Sequence, residues 1–180
     1  NSHMEPKSIE LSQDQQNLLN DLIKGKSRFV TGKAGSGKTT VIQEFLKTAK
    51  RIAVLATTGI AAINIGGETL HSFFGIPVTD RILTRADCYN RKRETQLLWN
   101  TVQTFVIDEV SMLRPDQLDW INWQLIYNAC HPLTSKQMIY VGDLGQLPPI
   151  YKGENGAEII TYYGGKYFNK AKVFQKVKTV

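Results

Sequence analysis

Gly32-Lys33-Ala34-Gly35-Ser36-Gly37-Lys38-Thr39 fits the pattern GxxxxGK[ST] in full. Glycines in this order let the backbone curl until successive N–H groups face one phosphate. The helix that follows then presents its positive end to the same charge. In such a cradle Lys38 reaches the outer phosphates and the Thr39 hydroxyl ligates Mg²⁺, with Gly32, Ala34, Gly35, Ser36, Gly37 and Thr40 completing the candidate contacts. The neighbouring sequence agrees. Arg28 to Thr31 reads as a short strand immediately before the loop. A helix from about Lys38 carries Val41, Ile42, Phe45, Leu46 and Ala49 along one face.

Further upstream, Ser12-Gln13-Asp14-Gln15 has capping-box spacing and opens a helix through Leu18, Leu19, Leu22 and Ile23, which Gly25 should end. Downstream, Ile52 to Ala56, Val102 to Ile107 and Met138 to Val141 are near-continuous apolar runs, as strands buried on both faces require. Pro115 and Asp116 open a helix through Leu118, Ile121 and Leu125. Strand, helix, strand, helix, strand is the rhythm of an α/β fold with a mostly parallel sheet flanked by helices. Thr79 to Glu94, with Arg81, Arg85, Arg91 and Arg93, reads as a solvated face. Tyr151 to Gly165, with four glycines, reads as an irregular excursion off the sheet.

Composition sets the outer bounds. Twenty-two Lys plus Arg against sixteen Asp plus Glu leave a formal charge of +6 on 180 residues, 42% of them hydrophobic. That length suits about one domain, which needs no disulfide or metal staple. The basic balance is compatible with an anionic partner without identifying one. Cys88 and Cys130 lack CxxC spacing, so a reducing compartment is the simpler reading. His3, His71 and His131 have no metal-ligand spacing with either, and no zinc site is expected. No apolar stretch approaches the roughly 18 residues of a membrane span. Collagen, a disulfide-rich secreted module and a membrane protein are excluded. Asn1-Ser2-His3-Met4 reads as the scar of a cleaved expression tag.

The phosphate loop needs a partner site. Phe105-Val106-Ile107-Asp108-Glu109 is an apolar strand ending in two carboxylates. Asp108 can hold the metal's hydration shell while Glu109 orients an attacking water, which favours hydrolysis over transfer to a second substrate. An NKxD base-recognition motif is absent, which favours ATP.

Three further stretches narrow the class: Ala56-Thr57-Thr58-Gly59-Ile60-Ala61-Ala62, Thr69-Leu70-His71-Ser72-Phe73-Phe74-Gly75, and Gly142-Asp143-Leu144-Gly145-Gln146-Leu147-Pro148-Pro149. With Asp108-Glu109-Val110-Ser111-Met112, this series resembles the Pif-one (petite integration frequency) family of DNA helicases, in superfamily one, from about Leu11 to Val180. The resemblance implies a RecA-like P-loop NTPase domain that drives five-prime to three-prime translocation on single-stranded DNA and unwinds forked or quadruplex DNA. It implies ATP and Mg²⁺ as cofactors and an intracellular protein; no membrane partner is expected, and this fragment is expected to be monomeric. The compartment would be cytoplasmic in a bacterium, and nuclear or mitochondrial in a eukaryote.

By the same resemblance Gln15 recognises adenine, and Lys38 and Thr39 hold phosphate and magnesium. Asp108 and Glu109 are the metal and water-activating carboxylates. Gln146 touches the terminal phosphate, and Thr58, Gly59, His71 and Ser72 hold the DNA backbone. Residues 5–150 correspond to the first RecA-like domain, 151–168 to a small wedge subdomain and 169–180 to a return segment. Two departures stand out. Where the family often carries Pro-Phe-Gly-Gly, this chain has Pro132-Leu133-Thr134-Ser135-Lys136-Gln137. The family's second RecA-like domain, which supplies arginines to the transferring phosphate, would begin about where Lys178-Thr179-Val180 stands.

Other readings compete at single residues. Taken alone, His71 reads as a hydrogen-bonded structural histidine. Its setting in Thr-Leu-His-Ser favours a backbone contact. Phe73 and Phe74 read as core rather than base-stacking residues, and Trp120 and Trp123 as packing. Two other function classes fit a phosphate loop: a nucleotide-dependent switch or assembly module, and a nucleotide kinase. The kinase would want an arginine-rich lid and a base-binding domain, and neither is visible.

Overall fold

The computed structural model describes residues 10–32, 37–146, 148–174 and 177–180. Within them six strands pair in parallel: β1 (Arg28–Thr31), β2 (Ile52–Ala56), β3 (Glu68–Thr69), β4 (Thr104–Asp108), β5 (Gln137–Gly142) and β6 (Lys178–Thr179). Their order across the sheet is β3-β2-β4-β5-β1-β6. Because all run the same way, the ends of β1, β2, β4 and β5 share one edge, and the loops that leave them meet there. Seven helices join the strands among the described residues: α1 (Gln13–Ile23), α2 (Lys38–Thr48), α3 (Gly59–Ile65), α4 (Leu70–Phe74), α5 (Arg93–Thr101), α6 (Pro115–Tyr127) and α7 (Gly153–Tyr163).

The strands divide their side chains between two cores, as a period of two requires. Val30, Val106 and Ile139 face α1 and α2, where they pack with Leu18, Leu22, Val41, Ile42 and Phe45. Phe29, Phe105, Ile107, Met138 and Tyr140 face the other way and join Phe73, Phe74, Trp99, Trp120 and Leu125. Phe73 and Phe74 are thus core residues, edge-on to each other with ring centroids 4.9 Å apart. Trp120 is fully buried, and Trp123 packs beside the same core under the Arg85 guanidinium.

Local signals formed what they promised. Ser12 caps α1 and Gln15 returns the bond, its Oε1 accepting the Ser12 N–H at 2.8 Å. β1 and β2 have the bounds the apolar runs suggest. The strand in the run from Val102 to Ile107 does not start at Val102, because the Val102 N–H donates to Leu98 O and closes α5. The strand begins at Thr104 and extends through Asp108.

Two expectations are corrected. Tyr151 to Gly165 is not irregular, because α7 fills most of it. Gly156 answers a packing demand, since a Cβ there would sit 2.8 Å from the Tyr151 carbonyl carbon, whereas Gly153 and Gly164 take positive φ at the two ends of the helix. Thr79 to Glu94 is not simply a solvated face. Arg91 lies half-buried over the Trp99 ring, and α5 begins at Arg93. The divergent stretch 132–137 has its own task. Buried Lys136 donates to Trp99 O and Val102 O, capping the carbonyl end of α5, where a cation is favoured. The tag-like Asn1-Ser2-His3-Met4 lies outside the described residues.

Candidate active site

The phosphate side is built from three elements. β1 delivers the chain to Gly32, which is exposed, while Ala34, Gly35 and Ser36 lie outside the described residues. Gly37 is the N-cap of α2 in the left-handed region, at φ 83°, where a side chain would be strained. It also carries Gln15 close against it: the Gln15 Nε2 donates to Gly37 O at 2.9 Å, and a Cβ on Gly37 would collide with that amide. Two residues 22 positions apart are thereby brought together at the mouth of the loop. No acidic residue occupies the first turn of α2, so its positive end stays open to an anion.

Lys38 opens α2, and its ammonium donates to Val180 O, which also accepts the Thr31 N–H. Burial lowers the pKa of this lysine. Thr39 is exposed on the first turn and Thr40 half-buried beside it.

β4 ends by presenting Asp108 to the same edge. Glu109 then turns out of the strand in the left-handed region (φ 53°, ψ 38°) and starts a 3₁₀ turn over Val110–Met112. Asp108 Oδ1 accepts the Glu109 N–H at 2.9 Å. Among the described residues neither carboxylate has a cation within ion-pair distance. Burial raises the Asp108 pKa, against the opposing pull of that N–H. Burial and the neighbouring Asp108 charge raise the Glu109 pKa. Both groups are therefore poised to gain from a cation.

Thr39 and Asp108 line one cavity of about 170 Å³, with Gln43 and Asn64 on its wall. A hydroxyl and a carboxylate are the oxygen ligands that suit a magnesium ion arriving on nucleotide phosphates. No group of three or more His, Cys, Asp or Glu side chains gathers around a common point among the described residues. Gln146 follows β5 in an exposed turn, where its N–H donates to Asp143 O at 3.1 Å. Leu147 lies outside the described residues.

The remaining candidates sit after β2. Thr58 is the N-cap of α3, its Oγ1 accepting from Ala61 N–H at 3.2 Å, which leaves the hydroxyl proton free to donate. Gly59 is exposed, with open space where a Cβ would be. Ser72 is exposed on α4, whose N-cap Thr69 accepts the Ser72 N–H. His71 is half-buried, its Nε2 3.4 Å from Gln117 Nε2, and it lines a cleft with Val78, Ile150 and Lys152. Burial and the nearby Arg114 charge lower its pKa, so it meets a ligand as a neutral ring at pH 7.

Several supporting residues carry no motif. Trp99 Nε1, Arg91 Nη1 and the Tyr89 hydroxyl donate to the last three carbonyls of the α4 end, those of Phe73, Phe74 and Gly75. A Cβ on Gly75 would strike both Tyr89 and Arg91. Asn64 and Gln43 were equally silent in the sequence, since only folding brings them to the Thr39–Asp108 cavity.

Comparison with known proteins agrees with this arrangement. The PIF1-like helicase family model matches residues 10–180. The ATP-dependent DNA helicase PIF1 of Saccharomyces cerevisiae is 35% identical over 157 residues, covering 81% of this chain and 18% of that protein. PIF5 of Trypanosoma brucei brucei is 41% identical over 151 residues, covering 78% of this chain and 16% of its own length. The chain thus spans less than a fifth of either relative. Among solved structures, Bacteroides Pif1 in complex with ADP-AlF3 and ssDNA superposes with a TM-score of 0.81 at 39% identity, over 94% of this chain and 41% of that one. With the family model matched across residues 10–180 and the Asp108–Glu109 pair and the two capped turns set beside the start of α2, the chain belongs to the PIF1-like helicase family.

Proposed function

We propose that this chain is the ATP-binding motor domain of a DNA helicase that couples hydrolysis to five-prime to three-prime travel on single-stranded DNA. One observation carries the reading: the Lys38–Thr39 end of α2, the Asp108–Glu109 pair and the Thr58–Gly59 turn follow β1, β4 and β2 at the same edge of one parallel sheet, the last two on adjacent strands. A nucleotide bound by the first two would be felt by a strand bound at the third. The Bacteroides relative in complex with ADP-AlF3 and ssDNA supports both ligands, and a second Pif1 structure concerns unwinding at forked dsDNA.

In this reading the Gln15 amide selects adenine from its place beside Gly37. Gly32, Ala34, Gly35, Ser36, Gly37 and Thr40 surround the phosphates. Lys38 exchanges the Val180 carbonyl for a phosphate oxygen, which offsets the cost of its burial. Thr39 and Asp108 would hold magnesium, which would supply charge neutralisation at the phosphates. Glu109 polarises the attacking water, its raised pKa bringing its basicity nearer neutrality. Gln146 reports the terminal phosphate. Thr58, Gly59, Ser72 and neutral His71 hold the DNA backbone by hydrogen bonds rather than by charge. Residues 151–168, with α7, take the wedge position that meets forked or quadruplex DNA. The chain is read as monomeric and intracellular; no described helix is long and apolar enough to cross a membrane.

Lys38→Ala should remove most affinity for labelled ATP, and unchanged titration would sink the phosphate assignment. Glu109→Gln in the parent protein should keep ATP binding and lose about 10²–10⁴-fold in turnover, the range for a positioned general base. The 180 residues alone should bind nucleotide yet hydrolyse it very slowly and displace no strand. An arginine finger contributes about 10³–10⁵ in related phosphoryl-transfer enzymes. Strand displacement by these 180 residues at saturating ATP would show that the rest of the relatives' length is not needed for unwinding.

A further inference from the structure

The β2–β4 ladder ends at the register pair Ala56 and Asp108. One step further the Thr57 N–H still reaches Asp108 O at 3.3 Å. At Glu109 the backbone leaves the strand for the left-handed region, and the ladder cannot continue in its regular form. The Thr57 side chain continues it instead, its Oγ1 donating to Glu109 O at 2.8 Å. The same carbonyl accepts the Met112 N–H at 3.1 Å, so it is held from its own turn and from the neighbouring strand.

Two facts give this bond consequence. A non-glycine residue in the left-handed region costs about 1–2 kcal/mol and persists only where its surroundings hold it. And the residue after Thr57 is Thr58, the exposed cap of α3. Resting on the helicase reading above, we infer that Thr57 is a positioning residue. It ties the DNA-facing turn of Thr58 and Gly59 to the backbone of Glu109, so that strand binding at the turn sets the carboxylate in place for water. Met112 keeps the Glu109 carbonyl satisfied when the tether is removed, so the loss falls on placement rather than on folding.

The test compares Thr57→Val and Thr57→Ser in the parent protein, using Mg-ATP and single-stranded oligothymidylate. Valine keeps the shape and removes the donor; serine keeps the donor. Thr57→Val should lower DNA-stimulated kcat about tenfold, the equivalent of about 1.4 kcal/mol. KM for ATP, affinity for the oligonucleotide and the melting temperature should stay within about twofold or a degree or two. Thr57→Ser should restore most of the rate. Full DNA-stimulated turnover in Thr57→Val, or a loss that serine does not rescue, overturns the assignment. A loss confined to oligonucleotide affinity also overturns it, by placing Thr57 in the strand's path. A wild-type parent whose turnover ignores DNA overturns the helicase reading itself and this inference with it.

Discussion

Asp116 and Asp119 lie on the first turns of α6; Asp108 and Glu109 stand at the end of β4. The first pair is more deeply buried, yet every oxygen has a partner. Asp116 receives Arg114 Nε and Nη2, each at 3.0 Å, and the Leu83 N–H at 3.0 Å. Asp119 receives the Tyr163 hydroxyl at 2.8 Å and the N–H groups of Lys172 and Val173. These two carboxylates staple three separate segments to α6. Asp108 accepts only its neighbour's N–H among the described residues, and no described donor reaches the Glu109 carboxylate. A paired buried carboxylate locks segments together, while an unpaired one holds free energy in reserve for a ligand.

The sharpest way to break that contrast is Asp116→Ala. It leaves the guanidinium of Arg114, a residue only 7% exposed, without its counter-charge. Removing one partner of a buried pair costs about 3–5 kcal/mol. Urea unfolding should move its midpoint accordingly, and a shift below about 1 kcal/mol would mean that the Thr79 carbonyl alone satisfies Arg114.

Asp119→Asn is a smaller test of the same idea. The amide can accept through only one oxygen, so at least one of three donors loses its acceptor, for about 1–3 kcal/mol. Unchanged stability would make the staple ornamental.

At the β4 end the sign reverses. Asp108 and Glu109 have raised pKa values in the folded chain, so they bind protons more readily folded than unfolded. The resulting stability is present below their unfolded pKa values and is lost as pH rises through the folded ones. Asp108→Asn should therefore raise the melting temperature of the nucleotide-free protein at pH 7 to 8, and the gain should vanish near pH 3. A lower melting temperature at neutral pH would show that Asp108, too, is a structural acceptor.

The smallest effect belongs to His71. Its folded pKa lies below the ordinary value of 6.5, so the unfolded chain takes up the proton first. Its share of stability should fall as pH drops from 6.5 towards the lowered value. His71→Gln should flatten that limb of the stability curve; an unaltered limb would trace the acid sensitivity to other groups.

How far the sequence can be read follows from the same geometry. Ser12 and Gln15 are three residues apart, so their mutual cap was legible without any tertiary information. So was the placing of Lys38 and Thr39 at the start of α2 and of Asp108 and Glu109 at the end of β4. Edge strands of two residues, β3 and β6, have no period to detect. α7 was hidden because its glycines imitate a loop, and α5 because its apolar residues Leu97, Leu98 and Trp99 are consecutive, with the two leucines exposed, so they trace no helical period. Thr57 and Thr58 are chemically alike, and only the pairing of Ala56 with Asp108 reveals which one faces Glu109. Residues that act through register are visible only after folding.

Gly75 carries one more consequence. Its missing side chain is the space in which the Tyr89 hydroxyl and the Arg91 guanidinium meet the end of α4. A chain that placed alanine there would have to move both donors at once, and with them the cation stacked on Trp99. Positions 75, 89 and 91 should therefore drift together across related sequences, as a covarying triplet rather than as three independent sites.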